Sequence, residues 1–478
     1  MTRYFRPDSF RRLSPALLLV CAQLTSAESL LDIYERALNN DAQLRSQAAQ
    51  YRANIEQENL TLAPLLPQVT AGYEFSNNDT DSTRQSFIGD GNGGIVLGEI
   101  SQQVDVDTDG YDVRLSQTLF DLSAWYNYQA GKEFTLQAEA TFAANTQNLI
   151  VRVVEAYVGV LRAQDNLAAA ESQERAFQRQ LEQTQQRFDV GLIAITDVYE
   201  AEAARDLSEV TRIVEENNVA VAKERLSVLT GEYHERLNVL TPDFTARTPE
   251  PADRASWVDF ALENNFELAA ARFAEESARQ TAKANKMEHA PKVTAGYTYA
   301  DNETEGSLAT DPPALVPQPQ QEQTAKTWQV RVDMPLFTGG SISANRRRAA
   351  EQFNAAREDR INLTRTTVTE ARSLHMTVMS DVARVKARKQ SIKSAQSALD
   401  ATEAGYEVGT RNIVDVLNAQ NILFEARRDY ANTRYDYIIN SLRLKETAGT
   451  LARQDLERLD SFLVEPAAPT ASGSTQSE

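Results

Sequence analysis

The feature that most constrains the fold of this chain is an internal duplication. Residues 188–201 read FDVGLIAITDVYEA, and residues 406–419 read YEVGTRNIVDVLNA, with six of the fourteen positions identical. Residues 67–73 read PQVTAGY, and residues 291–297 read PKVTAGY. Motifs that return in the same order along a chain indicate a fold built from repeats of one structural unit. We therefore predict two structural repeats per chain.

Each repeat contains the same order of predicted elements. In the first, a helix at about 30–63 ends at Pro64 and Pro67, because proline cannot continue a helix. Its strands are predicted at 69–75 and 111–120, joined by a polar loop, and its long helices at 123–188 and 196–230. In the second, the helix is predicted at 257–288, the strands at 293–297 and 328–337 around a proline-rich loop at 310–324, and the long helices at 341–408 and 412–450. Glycine stops a helical pattern at Gly191 and Gly409, so each pair of long helices is predicted to form a hairpin.

The domain organisation follows from these repeats. We predict a signal peptide at residues 1–27, a first repeat at 28–241, a linker at 242–255, a second repeat at 256–460 and a disordered tail at 461–478. Four arginines precede an apolar run and the small residues 25–27, which is typical of a secretory signal. Cys21 leaves a lipid-anchored precursor as an alternative, although Val20 is not the small residue that such processing prefers.

The charge and cysteine content exclude some classes of function. The full chain carries a net charge of −19, and cleavage after Ala27 would remove four arginines and one aspartate, which lowers the net charge to −22. Such a charge disfavours nucleic acid as a partner. Cys21 is the only cysteine, so the cleaved chain must be stable in an exported compartment without disulfides.

The long helices carry an apolar residue at every seventh position. In the second repeat these are Ala371, Val378, Val385, Ile392, Leu399 and Tyr406, followed on the outgoing helix by Val416, Leu423, Tyr430, Tyr437, Leu444 and Leu451. In the first repeat they are Val153, Val160, Leu167, Leu181 and Phe188, interrupted by Glu174, and then Leu207, Val214, Val221 and Val228. This spacing predicts supercoiled helices packed side by side, and a soluble antiparallel coiled coil is one interpretation.

The four predicted strands favour a membrane protein instead. Strands of about ten residues cross a bilayer when tilted, and a sheet in lipid must close into a barrel of at least about eight strands. One chain holds too few, so several chains must contribute strands. The predicted lipid-facing residues are Tyr111, Val113, Leu115, Trp328, Val330, Val332 and Met334; the predicted lumen-facing ones are Arg114, Arg331 and Asp333; and the predicted aromatic girdles are Tyr73, Phe75, Tyr297 and Tyr299. The alternative is an ordinary half-buried antiparallel sheet.

Two further stretches carry a resemblance to a known family. Residues 405–417 read GYEVGTRNIVDVL and residues 434–440 read RYDYIIN. With these motifs the chain resembles the TolC family of outer-membrane channel proteins, over the whole length after the signal. The resemblance implies a mixed α and β membrane protein, a homotrimer whose 12-stranded β-barrel in the outer membrane continues as a 12-helix α-barrel through the periplasm.

The resemblance also implies a function and partners. The family provides the outer-membrane exit duct of tripartite multidrug efflux pumps and type I secretion systems in Gram-negative bacteria. Its partners are a periplasmic adaptor, also called a membrane fusion protein, and an inner-membrane transporter of the RND, ABC or MFS type, and no cofactor is implied.

The resemblance assigns a gate to the hairpin tips. Tyr406 and Arg411 would bond to Asp197, with Thr196 also close to Arg411. An arginine and an aspartate form short charged bonds, each contributing about 0.2–1 kcal/mol at a wet site. The alternative for Asp197 is a carboxylate in the first turn of a helix, favoured by the helix dipole.

The resemblance also assigns the narrowest point of the pore. Asp415 would form a carboxylate ring, which attracts cations. The family pattern has a second aspartate where this chain has Asn418, one helical turn away on the same face. A trimer would then carry three carboxylates rather than six, so we expect weaker block by cations. Asp415 also fits a capping arrangement with Asn412, and both roles are compatible.

The tips match the family's adaptor-docking motif. The matching residues are Val190, Gly191 and Leu192 in the first repeat and Val408, Gly409 and Thr410 in the second. Glycine permits close approach of a partner backbone. The alternative is a glycine that only ends a helix.

Enzymatic functions find little support in the sequence. His234, His289 and His375 lack the spacing of metal ligands, and no nucleophile with a base is recognisable, so we predict neither catalysis nor a metal site. A hydrolase acting on envelope polymers would need such a set. The second choice after the channel is a soluble periplasmic coiled-coil adaptor.

Overall fold

The computed structural model of the chain describes residues 27–89, 93–311 and 318–466. The predicted signal peptide lies outside the described residues, apart from Ala27. The helices are α1 (Leu30–Asn40), α2 (Ala42–Leu62), α3 (Leu122–Asp189), α4 (Ile195–Thr230), α5 (Arg254–Asn264), α6 (Phe266–Met287), α7 (Ser341–Glu407), α8 (Ile413–Thr447) and α9 (Arg453–Asp460). The strands are β1 (Gln68–Gly89), β2 (Ile95–Phe120), β3 (Val239–Leu240), β4 (Lys292–Asp311), β5 (Gln321–Asp333) and β6 (Leu463–Val464).

The two β-hairpins of the repeats join into one four-stranded antiparallel sheet. The strand order is β1-β2-β4-β5, so β1 and β5 form the two edges. The register places Val69 opposite Leu115, Leu115 opposite Tyr297, and Tyr297 opposite Trp328. Directly paired residues share a face, so this face of the sheet is apolar where it lies nearest the helices, whereas farther out it carries aspartates. Arg114 lies on the other face, where it pairs with Thr70 and Thr298 in the register. The predicted alternation is confirmed.

The strands of the first repeat are longer than the sequence pattern predicts. The segment up to Asp109 was expected to be a loop, but β1 has 22 residues and β2 has 26, paired without interruption from Gln68 to Gly89. An antiparallel ladder needs only backbone donors and acceptors, so polar side chains do not prevent it. Asn77, for example, donates to Asp105 at 3.2 Å and to Asp107 at 2.9 Å across the pair.

Strand β5 begins and ends earlier in the sequence than predicted. It was expected to run over 328–337, but β5 ends at Asp333. Pro335 lacks a backbone N–H and cannot donate to a ladder, which explains why the strand ends before it.

The single helix predicted before each β-hairpin is in fact two helices. The break lies at Asp41 in the first repeat and at Asn265 in the second. The Asp41 carboxylate accepts the Leu44 N–H at 3.1 Å, and the Asn265 side chain accepts the Leu268 N–H at 2.8 Å. Both residues are N-caps, which favour a new helix start. The same break in both repeats extends the duplication to three dimensions.

The long helices agree with the sequence prediction to within a few residues at each end. Near the sheet, α3 packs against α2 and α6; towards the hairpin tips it packs against α4 and α8. Within the described ranges, no helix is both long enough and apolar enough to cross a membrane.

The largest hydrophobic core lies midway along the helices. It forms where α3 and α8 meet α1, α9 and the small β3–β6 sheet. Tyr157 of α3 is fully buried there, and its hydroxyl lies 2.8 Å from the Asn238 carbonyl oxygen and 3.2 Å from the Glu28 carbonyl oxygen. In this core the first described residues pack close to the last described ones.

The predicted disordered tail is wrong for its first residues. Leu463–Val464 pair with Val239–Leu240, and the Phe462 ring packs 5.5 Å from Phe244, edge to face. Apolar side chains at 462–464 therefore extend the core, a contact that composition alone does not reveal. Residues 467–478 of the predicted tail lie outside the described residues.

The apolar rows of the two outgoing helices differ in burial. On α8 the row is covered, with Val416, Leu423 and Leu444 buried. On α4 it is open, with Leu207 69% and Val228 75% exposed. The two repeats are alike in sequence pattern. The difference arises because α8 packs against both α3 and α7, whereas one side of α4 has no neighbour among the residues that the structure describes.

Candidate functional site

The hairpin tips are two copies of the same helix ending. Gly191 follows α3 with φ +77°, and Gly409 follows α7 with φ +79°. The Leu192 N–H donates to the Arg187 carbonyl at 2.9 Å, and the Thr410 N–H donates to the Gly405 carbonyl at 2.8 Å. The N–H of each glycine also donates to a carbonyl three residues earlier. The two bonds at each tip together form a Schellman motif. The predicted helix stop at each glycine is confirmed.

The tips present apolar side chains to solvent. Val190, Leu192 and Val408 are among the most exposed apolar residues described. No atom lies within 4 Å of a Cβ built on Gly191 or Gly409, so inside this chain the glycines are required by their positive φ and not by close packing. An exposed apolar patch at the end of a long rod is typical of a protein-binding surface.

A small apolar cluster joins the two hairpins close to their tips. It contains the buried residues Phe177 of α3 and Ile413 and Leu417 of α8, with Tyr406 of α7 and Ala204 of α4 packed against it. All four long helices contribute, so this cluster fixes the spacing of the tips.

The predicted gate bonds to Asp197 are not formed within the described chain. The only side-chain bond described for Asp197 comes from the neighbouring Thr196 hydroxyl at 3.4 Å. Arg411 turns back along its own hairpin and pairs with Asp415 at 3.8 Å, because residues four apart on adjacent turns lie within reach of each other. The prediction that Arg411 and Tyr406 bond to Asp197 concerns the assembled channel, and it stays a prediction.

Tyr406 instead contacts an arginine that the sequence analysis missed. The Arg187 guanidinium lies 4.7 Å from the centre of the Tyr406 ring. The Tyr406 hydroxyl is buried without a hydrogen-bond partner among the described residues. Aligning the two tip motifs would have drawn attention to position 187, because Gly405 stands at the equivalent place in the second repeat.

The predicted constriction residues lie one turn apart on α8. The Asn412 side chain accepts the Asp415 N–H at 2.9 Å, and the Asp415 carboxylate accepts the Asn412 N–H at 3.4 Å. This is a reciprocal capping box, so the capping interpretation of Asp415 is confirmed. Asn418 is exposed, and Asp415 is half-buried beside Arg411.

The second signature motif, at residues 434–440, fastens α8 to its neighbours. The Tyr435 hydroxyl donates to Asp165 of α3 at 2.7 Å, and Arg162 of α3 donates to Asp436 at 2.6 Å. Asn440 donates to the fully buried Asp381 of α7 at 2.8 Å. Burial raises the pKa of Tyr435, with the Asp165 carboxylate adding to the shift. The motif therefore holds three long helices in register.

Both halves of the chain are similar to a known protein family. The family model described as outer membrane efflux protein matches residues 33–232 and 257–450. The match covers most of each repeat. Among the described residues no group of three or more His, Cys, Asp or Glu side chains is arranged to hold a metal ion.

Individual relatives match along most of their length. Outer membrane protein TolC of Vibrio cholerae is 35% identical over 436 residues, covering 90% of this chain and 92% of that protein. Alkaline protease secretion protein AprF of Pseudomonas aeruginosa is 29% identical, covering 92% of this chain and 89% of that protein. The crystal structure of the outer membrane protein VceC of Vibrio cholerae superposes with a TM-score of 0.70 at 17% identity, covering 88% of this chain and 96% of that one, which shows a shared fold.

Proposed function

Because the chain belongs to the outer membrane efflux protein family, we propose that three copies of it form the exit duct of efflux pumps and type I secretion systems. The protein resides in the outer membrane of a Gram-negative bacterium and extends into the periplasm. It is a passive conduit and not an enzyme, and it works with export machinery that supplies the energy.

The proposal of a trimer is supported by the surfaces of one chain that have no partner within it. The edges β1 and β5, the apolar face of the sheet and the apolar row of α4 have no partner within the described chain. Lipid does not tolerate an unpaired strand edge, so four strands must be completed by strands of other copies. Three copies supply twelve strands, above the minimum of about eight.

The apolar face of the sheet fits a lipid-facing surface. Val69, Tyr73 and Val330 are strongly exposed, and the Tyr297 and Trp328 rings contact each other at a tilt with their centres 4.5 Å apart. Aromatic side chains of this kind favour the membrane–water interface. Arg114 on the opposite face then borders the wet lumen.

The helices fit a barrel built in the same way. Along the proposed helical barrel, four helices of one chain lie side by side, so three copies give twelve helices. The row that begins at Leu207 on α4 then packs against the neighbouring copy, which removes its apolar side chains from water.

The exposed tips support docking of a periplasmic adaptor. Val190, Leu192 and Val408, with Gly191, Gly409 and Thr410, would contact apolar side chains of the adaptor. An inner-membrane transporter of the RND, ABC or MFS type completes the assembly.

The gate is closed by Thr196, Asp197, Tyr406 and Arg411, and Asp415 lines the narrowest point.

Assembly can be tested at the α4 row. We expect Leu207→Glu to abolish the heat-modifiable trimer and its conductance in planar lipid bilayers, because it places a charge in an apolar contact between copies. Leu207→Met is the control and should leave both intact. Since Leu207 is 69% exposed in one chain, neither change disturbs the fold of that chain.

The opposite result would contradict the proposal. A parent protein that is monomeric in the periplasmic extract and conducts no ions would favour the soluble adaptor instead. A Leu207→Glu protein that stays trimeric would remove the α4 row from the contact between copies.

Cation block tests the constriction. Asn418→Asp would add a second ring of three carboxylates one turn from Asp415, so we expect half-block by trivalent cations at a concentration lower by at least about tenfold, or about 1.4 kcal/mol. Asn418→Gln keeps the site uncharged and should match the parent. Single-channel recording measures this, and equal block of the Asp variant and the parent would place the constriction elsewhere.

A further inference from the structure

We propose that Arg187 is a latch residue that holds the two hairpin tips together through the ring of Tyr406, and that release of this contact accompanies opening. The inference rests on the proposed function, since it concerns the closed end of the channel. It assigns the contact to a residue outside the gate set Thr196, Asp197, Tyr406 and Arg411.

The geometry joins one hairpin to the other. Arg187 lies in the last turn of α3, and Tyr406 lies in the last turn of α7. The guanidinium carbon is 4.7 Å from the ring centre, within the range of about 6 Å over which a cation is attracted to an aromatic face. Each tip therefore contributes one partner, and separation of the tips must break the contact.

The alternatives open to Arg187 are few. Among the described residues, the contact given for its guanidinium is the Tyr406 ring. The nearby Asp189 carboxylate accepts a hydrogen bond from Gln185. The ring of Tyr406 is therefore the principal contact of this cation. An arginine in the last turn is also favoured by the dipole of α3, which keeps it near the tip.

Tyr406 contributes its ring to the contact with Arg187. The ring packs against Phe177, Ile413 and Leu417, while the hydroxyl is buried without a hydrogen-bond partner among the described residues. A buried hydroxyl that lacks a partner opposes the buried position. The attraction that keeps Tyr406 in place must then come from packing and from Arg187.

The second repeat shows why Arg411 does not fill this role. A Cβ on Gly405, which is the counterpart of Arg187, would lie 2.8 Å from Cγ of Arg411. The missing side chain lets Arg411, in the turn between the two helices, pack against the end of α7 and reach Asp415 in the first turn of α8. Each tip thus carries one arginine with a different task, and only Arg187 spans the two hairpins.

The test is a set of matched variants of the full-length trimer in planar lipid bilayers. Arg187→Gln removes the cation and should raise the open-to-closed ratio by at least roughly threefold. Arg187→Lys retains a cation and should stay close to the parent. Tyr406→Leu removes the ring together with the gate hydroxyl and should open the channel at least as far as Arg187→Gln. In a Tyr406→Phe background, which keeps the ring, Arg187→Gln should still raise the open-to-closed ratio by roughly threefold.

A double variant separates the latch from independent effects. Arg187→Gln combined with Tyr406→Leu should open the channel no more than Tyr406→Leu alone, because that change already removes the ring that Arg187 contacts. Additive effects, an unchanged Arg187→Gln channel, or equal opening by Arg187→Lys and Arg187→Gln would each overturn the latch.

Failure of the latch is distinct from failure of the proposed function. The latch fails on differences between variants of a conducting trimer, whereas the function fails if the parent itself does not conduct. The thermal stabilities of the parent, the two single variants and the double variant of Arg187 and Tyr406 give a second measurement that needs no conductance. Coupling between the two residues supports the contact, and its absence overturns it.

Discussion

Replacing Tyr157 with alanine is expected to lower the free energy of unfolding by about 3–5 kcal/mol, the range for large aromatic truncations in a core. The side chain has 0% exposure and lies in the middle of α3, where α3 and α8 meet α1, α9 and the β3–β6 sheet. The truncation removes the ring, leaves a cavity and deprives the Asn238 carbonyl of its donor. Denaturant or thermal unfolding of the purified protein measures the loss.

The matched control is Tyr157→Phe. It keeps the ring and removes only the hydroxyl, so we expect a loss of about 1–3 kcal/mol from the unpaired Asn238 carbonyl. The Glu28 carbonyl keeps the Asn238 N–H as a donor at 3.1 Å. If the alanine variant proved no less stable than the phenylalanine variant, this core would not be what holds the middle of the helices together.

Raising the pH above about 10 is expected to destabilise the protein steeply. Burial raises the pKa of Tyr157 and of Tyr435, both outside the strands. A raised folded-state pKa means that the folded protein keeps the phenol proton more tightly than the unfolded chain does. The stabilisation is therefore complete below the unfolded-state pKa of about 10 and is lost as the pH rises, at about 1.4 kcal/mol per pH unit for each tyrosine.

Unfolding at about pH 8, 10 and 11.5 tests this dependence. Two tyrosines should together remove roughly 4 kcal/mol between about pH 10 and 11.5. The double variant Tyr157→Phe, Tyr435→Phe should lose markedly less over that range. A residual slope is expected from Tyr34 and Tyr437, whose pKa values burial also raises. An alkaline loss that is the same in the double variant and the parent would show that other groups cause it.

Much of the architecture was predictable because its causes are local. The seven-residue rows locate the long helices, and the glycines at 191 and 409 locate their ends, since only a residue that accepts positive φ completes this helix ending. The breaks at Asp41 and Asn265 also have a local cause, the capping side chain. A stricter reading of capping residues would have found them.

Other features needed the whole fold. The polar extensions of β1 and β2 exist because each supplies the other's backbone partners, and polar side chains carry no apolar alternation that could reveal them. The last helix, α9, lies beside the first because Asp460 accepts the Leu30 N–H at 2.9 Å, a contact between residues 430 positions apart.

The candidate site also has residues that the sequence predicts and contacts that only the fold determines. Sequence reasoning found the tip residues and the pair Asp415 and Asn418, because these stand in a short motif. It assigned Arg411 to Asp197, whereas in the structure Arg411 pairs with Asp415 and Tyr406 contacts Arg187. A charged side chain accepts any partner of suitable charge within reach, so the motif names the candidates without choosing among them.

By itself, then, the sequence determined the duplication, the helical hairpins, their glycine tips and the alternating strands. These depend on backbone conformation and on residues a few positions apart. Only the tertiary structure decided which helix row stays open, which arginine contacts Tyr406 and how far the strands extend. Each of those depends on which distant segment lies alongside, and packing of the whole chain fixes that neighbour.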